Sequence, residues 1–123
     1  GKILNRFRKS LNGSRVLVLG VAYKQDIDDY RESPALRVIE ELEKTGADVI
    51  YYDPWVRQYR FKGQERVSEP ELTAELIESA DLVMITAAHT NVDYKLVQRH
   101  AKAVFDTKNV MKNIENRENI EVL

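Results

Sequence analysis

The sequence predicts an α/β domain: a doubly wound, mostly parallel sheet with helices on both faces. Two observations carry this. Four apolar runs, Val16-Leu17-Val18-Leu19, Val49-Ile50-Tyr51-Tyr52, Leu82-Val83-Met84-Ile85 and Ala103-Val104-Phe105, show no polar alternation. Strands of that kind are covered on both faces, as in a parallel sheet between helix layers. Helical patterns separate the runs, and strand–helix–strand alternation with right-handed crossovers winds such a sheet into a Rossmann-like three-layer sandwich.

The elements follow in order. Residues 2–11 read as a helix, with Ile3, Leu4, Phe7 and Leu11 on one face and Arg6, Arg8 and Lys9 elsewhere. Asn12-Gly13 ends it. Such a helix either offers a basic amphipathic face to a membrane or partner, or docks on this domain or continues from an upstream one. The first strand, Val16–Leu19, leads to Gly20. Ser33 is a good N-cap and Pro34 a good first helical residue. Ala35, Val38, Ile39 and Leu42 then keep helical spacing, and Gly46 supplies the stop. After the strand Val49–Tyr52, residues 55–68 are polar and aromatic, with Arg57, Arg60, Lys62 and Arg66. They read as a surface excursion with a short strand near Arg66-Val67. Pro70 is expected to open a second helix carrying Leu72, Leu76 and Ile77. A third helix is expected from about Asp93 to His100, with Leu96 and Val97 inward, and a short last strand at Ile120-Glu121-Val122.

Composition limits the functions. With 123 residues, 43% of them hydrophobic, the chain can build one domain with a real core. Its 19 basic and 20 acidic residues leave no net field to recruit nucleic acid or an anionic membrane. No apolar run approaches a membrane span, and no signal peptide is visible. No cysteine is present, so no disulfide, zinc–thiolate site or cysteine nucleophile lies within it. A soluble, cytoplasmic setting is the expectation.

In a doubly wound fold, ligands bind beyond the carboxyl ends of the strands, near the switch point in strand order. Those ends are Gly20–Lys24, Asp53-Pro54, Thr86–His89 and Asp106–Asn109. Lys24, Arg31 and Lys108 are therefore candidates for an anionic ligand, arginine as a bidentate fork and lysine as a point charge. The alternative is that they are ordinary surface cations. His89 either donates to a ligand or is a partly exposed loop residue, and Trp55 is read as packing. Asp29, Arg31 and Glu32 read as an ion-pair cluster that shapes the loop.

Three other sites fit less well. A self-contained dinucleotide site would use Asp53 for the ribose, but Gly20 stands alone without G-x-G-x-x-G. A phosphoryl-accepting receiver would use Asp53, Thr86 and Lys108, but its acidic pair belongs directly at the first strand end. A metal site from Asp26, Asp28 and Asp29 lacks the glycine and distal glutamate of a calcium loop.

The ordered motifs Val18-Leu19-Gly20-Val21-Ala22-Tyr23-Lys24, Asp28-Asp29-Tyr30-Arg31-Glu32-Ser33-Pro34-Ala35-Leu36, Gly46-Ala47-Asp48-Val49 and Tyr52-Asp53-Pro54 carry a resemblance. With Ala80-Asp81-Leu82-Val83 and Asp106-Thr107-Lys108-Asn109, the chain resembles the C-terminal domain of the UDP-glucose/GDP-mannose dehydrogenases over nearly its whole length. The resemblance implies an enzyme with an N-terminal NAD-binding domain, a helical dimer-forming middle domain and a C-terminal nucleotide-sugar domain. Such enzymes oxidise the sugar C6 alcohol to a carboxylate in two NAD-dependent steps, through a cysteine-linked thiohemiacetal. Residues 1–13 would then end the connecting helix, and residues 14–123 would form the UDP-sugar-binding domain, inactive alone. The missing cysteine and glycine motif would lie upstream, in an enzyme expected to be a homo-oligomer.

Position by position, the resemblance implies that Tyr23 and Lys24 are the aromatic–lysine pair contacting the nucleotide sugar. Arg31, in Arg-Glu-Ser, would reach the bound NAD. Lys108 stands where an arginine is usual, in an Asp-Gly-Arg-type turn contacting substrate. Tyr replaces the usual Phe at 23, adding a hydroxyl, and Lys at 108 loses the bidentate fork. Ala88-His89-Thr90-Asn91-Val92-Asp93-Tyr94 and Asp106–Asn109 look more like the UDP-N-acetylhexosamine 6-dehydrogenases, with UDP-N-acetylglucosamine preferred over UDP-N-acetylmannosamine. The product would be a UDP-hexosaminuronic acid for surface polysaccharide. The alternatives are a UDP-glucose 6-dehydrogenase domain, or a non-catalytic, receiver-like binding or signalling module.

Overall fold

The computed structural model describes residues 11–123. The helix expected over residues 2–11 lies outside the described residues, apart from Leu11.

The five parallel strands are β1 (Arg15–Leu19), β2 (Asp48–Tyr52), β5 (Leu82–Ile85), β6 (Val104–Asp106) and β7 (Ile120–Val122). They stand in the order β2-β1-β5-β6-β7, all pairs parallel. From β1 the chain steps outward to β2, then returns across β1 to place β5 on its other side. The switch point therefore lies between β1 and β5. β1 is an interior strand paired on both sides, and Val16, Leu17, Val18 and Leu19 are fully buried, which explains the absence of polar alternation.

Alternate residues of each strand feed two cores. On one face α1 (Pro34–Lys44) packs Ala35, Leu36 and Ile39 against Val16, Val18, Leu82 and Met84. On the other, α2 (Ala74–Ser79) and α3 (Tyr94–His100) bring Ile77 and Val97 against Leu17, Leu19, Val83, Ile85 and Val104. α1 begins where the sequence places it. The Ser33 hydroxyl oxygen accepts from the Ala35 N–H at 3.3 Å, and Pro34 opens the first turn.

Two expectations need correction. The strand expected near Arg66-Val67 is present as β4 (Gln64–Val67), but it pairs with an unforeseen β3 (Gln58–Phe61), so the excursion after β2 is an antiparallel hairpin. Lys62 and Gly63 at its tip both have positive φ, 51° and 79°, which suits the right-handed twist of a two-residue hairpin turn. Buried Tyr59 fastens the hairpin to the α1 side, helped by Lys62 to Glu40 at 2.9 Å and by the Arg66–Glu43 ion pair. Pro70 also does not open α2. Arg57 donates to the carbonyls of Asp53, Glu69 and Pro70 at 2.9, 3.2 and 3.0 Å, holding that segment against the end of β2. The helix starts four residues later, at Ala74, behind an N-cap on Thr73, whose hydroxyl accepts from Leu76 N–H at 3.1 Å.

Candidate functional site

The loops after β1, β5 and β6 meet over the switch point. Gly20 makes the first turn at φ +90°, and a Cβ there would meet Ala87 Cβ at 2.5 Å. Close approach of the two loops thus requires glycine. The Thr86 N–H donates to Leu19 C=O at 2.9 Å, and its hydroxyl donates to Gly20 C=O.

Above this seam lies an open cavity of about 320 Å³ lined by Tyr23, Lys24, Gln25, Thr86, Ala87, Ala88 and Lys108. It holds two lysines and no carboxylate. Tyr23 is half-exposed, and the Lys24 ammonium stands 5.7 Å from its ring centroid, a cation–π distance. Lys108 is presented by a turn built on buried Asp106. That carboxylate accepts from the Lys108 N–H at 3.1 Å and the Met111 N–H at 2.9 Å. The structure therefore gathers Tyr23, Lys24 and Lys108 from two loops separated by over eighty residues of chain. An anion with groups for both lysines suits this lining.

Arg31 is not in this cavity. Its guanidinium, 82% exposed, forks onto Asp29 at 3.0 and 3.1 Å. Those hydrogen bonds, with one from the Arg31 N–H, lower the Asp29 pKa. Arg31 lines a separate cavity of about 1040 Å³ along α1, walled by apolar residues such as Pro34, Val38 and Phe61 and by charged ones such as Glu32, Arg37 and Arg60.

Asp53 and His89 form a buried pair that sequence reasoning missed. Asp53 is 0% exposed and His89 1%. Asp53 Oδ2 accepts from Val21 N–H at 2.8 Å and pairs with His89 Nε2 at 2.9 Å. Its Oδ1 accepts from the N–H groups of Trp55 and Val56, at 2.8 and 2.9 Å. Burial alone would raise the Asp53 pKa. Hydrogen bonds from His89, Val56 and Val21 outweigh it and hold the carboxyl below its ordinary value. On the other ring nitrogen, His89 Nδ1 accepts from Asp26 N–H at 2.8 Å. That contact places the imidazole proton on Nε2, donated to Asp53.

This geometry removes the lesser sites. Asp53 has both oxygens occupied and no exposed surface, so it can neither hold a ribose nor accept a phosphoryl group. Gly20 turns toward Ala87 without the further glycines of G-x-G-x-x-G, so the described residues carry no complete dinucleotide fingerprint. Asp26 accepts from the Thr90 N–H and hydroxyl, both at 2.8 Å, and ties two loops together. Among the described residues no cluster of three His, Cys, Asp or Glu side chains is placed to hold a metal. His89 is buried rather than partly exposed, and Trp55 is 43% exposed rather than packed.

A parallel sheet in this order, with a cationic cavity at its switch point, defines an α/β domain for a small anionic ligand. The model of the UDP-glucose/GDP-mannose dehydrogenase family, UDP binding domain, matches residues 17–113, and the chain belongs to that family. A UDP-N-acetyl-D-mannosamine dehydrogenase of Methanocaldococcus jannaschii is 33% identical over 105 residues, 79% of this chain and 23% of the relative. The UDP-glucose 6-dehydrogenase AglM of Haloferax volcanii is 35% identical over 82 residues, 67% of this chain and 19% of the relative. A solved UDP-D-ManNAc dehydrogenase from Pyrococcus horikoshii superposes with a TM-score of 0.73 at 26% identity, covering 98% of this chain and 28% of that one. The chain thus spans about a quarter of the length of the relatives it matches.

Proposed function

We propose that this chain is the nucleotide-sugar-binding, C-terminal domain of an NAD-dependent UDP-N-acetylhexosamine 6-dehydrogenase. The observation that carries the reading is the convergence of Tyr23, Lys24 and Lys108 on one acid-free cavity at the switch point. The two lysines offset the charge of a nucleotide diphosphate, and Tyr23 offers a ring face and a hydroxyl beside it. The catalytic cysteine and the main NAD site belong to domains outside this chain. Closure of this domain over the substrate positions the sugar and excludes water. Arg31, on a different surface, contacts the NAD held by the upstream domain. The N-acetylhexosamine branch is supported by Ala88–Tyr94, by Asp106–Asn109, and by several relatives named as acting on UDP-N-acetyl-D-mannosamine. The Haloferax relative supports UDP-glucose as the second reading.

Amide-shift titrations of the labelled chain with UDP-N-acetylglucosamine, UDP-N-acetylmannosamine, UDP-glucose and NAD test this. Saturable shifts at Tyr23, Lys24, Ala88 and Lys108, stronger with an N-acetylated sugar, are expected. A tighter response to UDP-glucose moves the assignment to that branch. Shifts confined to the surface around Arg31 overturn the cavity assignment.

Two substitutions in the complete enzyme separate the surfaces. Lys24→Ala removes one charge-assisted contact worth roughly 1.5–3 kcal/mol, so kcat/KM for the UDP-sugar should fall at least tenfold. Unchanged kinetics would count against the site. Arg31→Ala should raise the apparent NAD requirement more than the sugar requirement, and the reverse order would place Arg31 on the substrate side.

A further inference from the structure

Both ends of the loop that presents Tyr23 and Lys24 meet one buried pair, while its middle is held by Tyr23 N–H to Asp29 C=O at 2.8 Å and by the Ser33 hydroxyl to Ala22 C=O at 3.3 Å. Before the two residues, Val21 N–H donates to Asp53 Oδ2 at 2.8 Å. After them, Asp26 N–H donates to His89 Nδ1 at 2.8 Å. The pair itself is closed by His89 Nε2 to Asp53 Oδ2 at 2.9 Å. One carboxylate oxygen and one imidazole therefore hold both ends of a six-residue loop, from inside the protein.

His89 is also anchored on its own side. Its carbonyl accepts from the Tyr94 hydroxyl at 2.7 Å, and its neighbour Ala88 lines the cavity. Asp26 sits at φ +59°, an uncommon conformation for a residue with a side chain. Its carboxylate returns to Thr90, so the strained residue is gripped through both backbone and side chain. The imidazole Nε2–H is the fourth donor to the buried Asp53 carboxylate, beside three backbone N–H groups. What the imidazole adds is an acceptor pointed at the far end of the Lys24 loop.

We propose that His89 is a positioning residue for the anion cavity: through Asp53 and the Asp26 N–H it sets where Lys24 stands relative to Lys108. The proposal deepens the nucleotide-sugar reading and rests on it. His89 touches no ligand; it acts through the loop, and its Nε2–H tautomer makes it a donor to one loop end's partner and an acceptor from the other.

The test uses this chain with His89→Leu, His89→Asn and Lys24→Ala, and UDP as the probe. His89→Leu removes both ring contacts while keeping an apolar side chain of similar bulk. His89→Asn places an amide oxygen near the Nδ1 position, where it can again accept from Asp26. Hydrogen exchange should quicken at Val21 and Asp26 in His89→Leu, with Leu17 and Val83 in the central strands unchanged. UDP affinity should fall about tenfold, the equivalent of one lost hydrogen bond. His89→Asn should recover part of both effects. In the Lys24→Ala background, His89→Leu should weaken UDP by no more than about twofold further, because the two act through one contact.

Unchanged exchange at Val21 and Asp26 overturns the proposal. So does quickened exchange with full UDP affinity, and so do fully additive losses in the double variant. If His89→Leu does not fold, His89→Asn decides by the same readings. If neither the unsubstituted chain nor the complete enzyme binds UDP, the nucleotide reading is what fails. Exchange at the two loop ends then still decides whether His89 holds the loop.

Discussion

At the scale of single residues, a few positions are set by contact distance rather than by chemistry. Gly20 is one. Gly20→Ala imposes a left-handed φ on a residue with a Cβ and drives that carbon into Ala87. The two costs together should reach about 3 kcal/mol, read as a lower urea midpoint with an unchanged m-value. The candidate cations behave differently. Lys24 and Lys108 were legible because each follows an apolar strand, and strand ends converge in this fold. Asp53 and His89 were not legible as a pair. They are 36 residues apart, and each alone looks like an ordinary polar residue in a loop. The available signal was the setting: single polar side chains within Tyr-Asp-Pro and Ala-Ala-His, at the ends of fully apolar strands. Such a residue is either aimed at a ligand or buried with a partner, and only coordinates choose between them.

At the scale of elements, caps decided boundaries. α1 was legible because Ser33 and Pro34 agree with the apolar spacing that follows. α2 was misplaced because Pro70 offers the same signal without the backbone freedom to use it, its carbonyl being taken by Arg57. Thr73→Ala should therefore cost about 1 kcal/mol, while exposed Pro70→Ala should change stability by under about 0.5 kcal/mol. Equal losses at the two positions in denaturant titrations would return the helix start to Pro70. Arg66-Val67 was legible as a strand, but its partner β3 and the turn between them were missed for a related reason. Gln58-Tyr59-Arg60-Phe61 alternates, but Lys62-Gly63 lacks the asparagine or aspartate that usually marks a tight turn. Its stability comes from Tyr59 and the ion pairs to α1, since a lone two-stranded hairpin is marginal in water.

At the scale of the whole molecule, acid should loosen the domain from the site outward. Asp53 carries a lowered pKa, so its contribution is complete above the unfolded value of about 4. It is lost as pH falls through the still lower folded value. Asp26, held by the Thr90 N–H and hydroxyl, and Asp29, held by Arg31, shift in the same direction at the surface. Stability measured by urea should fall as these carboxylates protonate, most steeply below pH 4. Asp53→Asn should be less stable at pH 7 and show a shallower acid limb. An unchanged limb would mean that the surface carboxylates carry the acid response.

The sequence by itself determined the layers, the parallel sheet, α1 and α3, and which strand ends could carry a ligand. These are local properties: apolar runs, helical spacing and caps are written in consecutive residues. The tertiary structure alone decided that β1 and β5 flank the switch point, and that Lys24 and Lys108 share a cavity while Arg31 faces elsewhere. It also decided that Asp53 spends its charge on His89 and three backbone N–H groups. Each of these depends on pairings across tens of residues, where the energy lies in one hydrogen bond or one close contact. No pattern within a window of sequence records such a pairing.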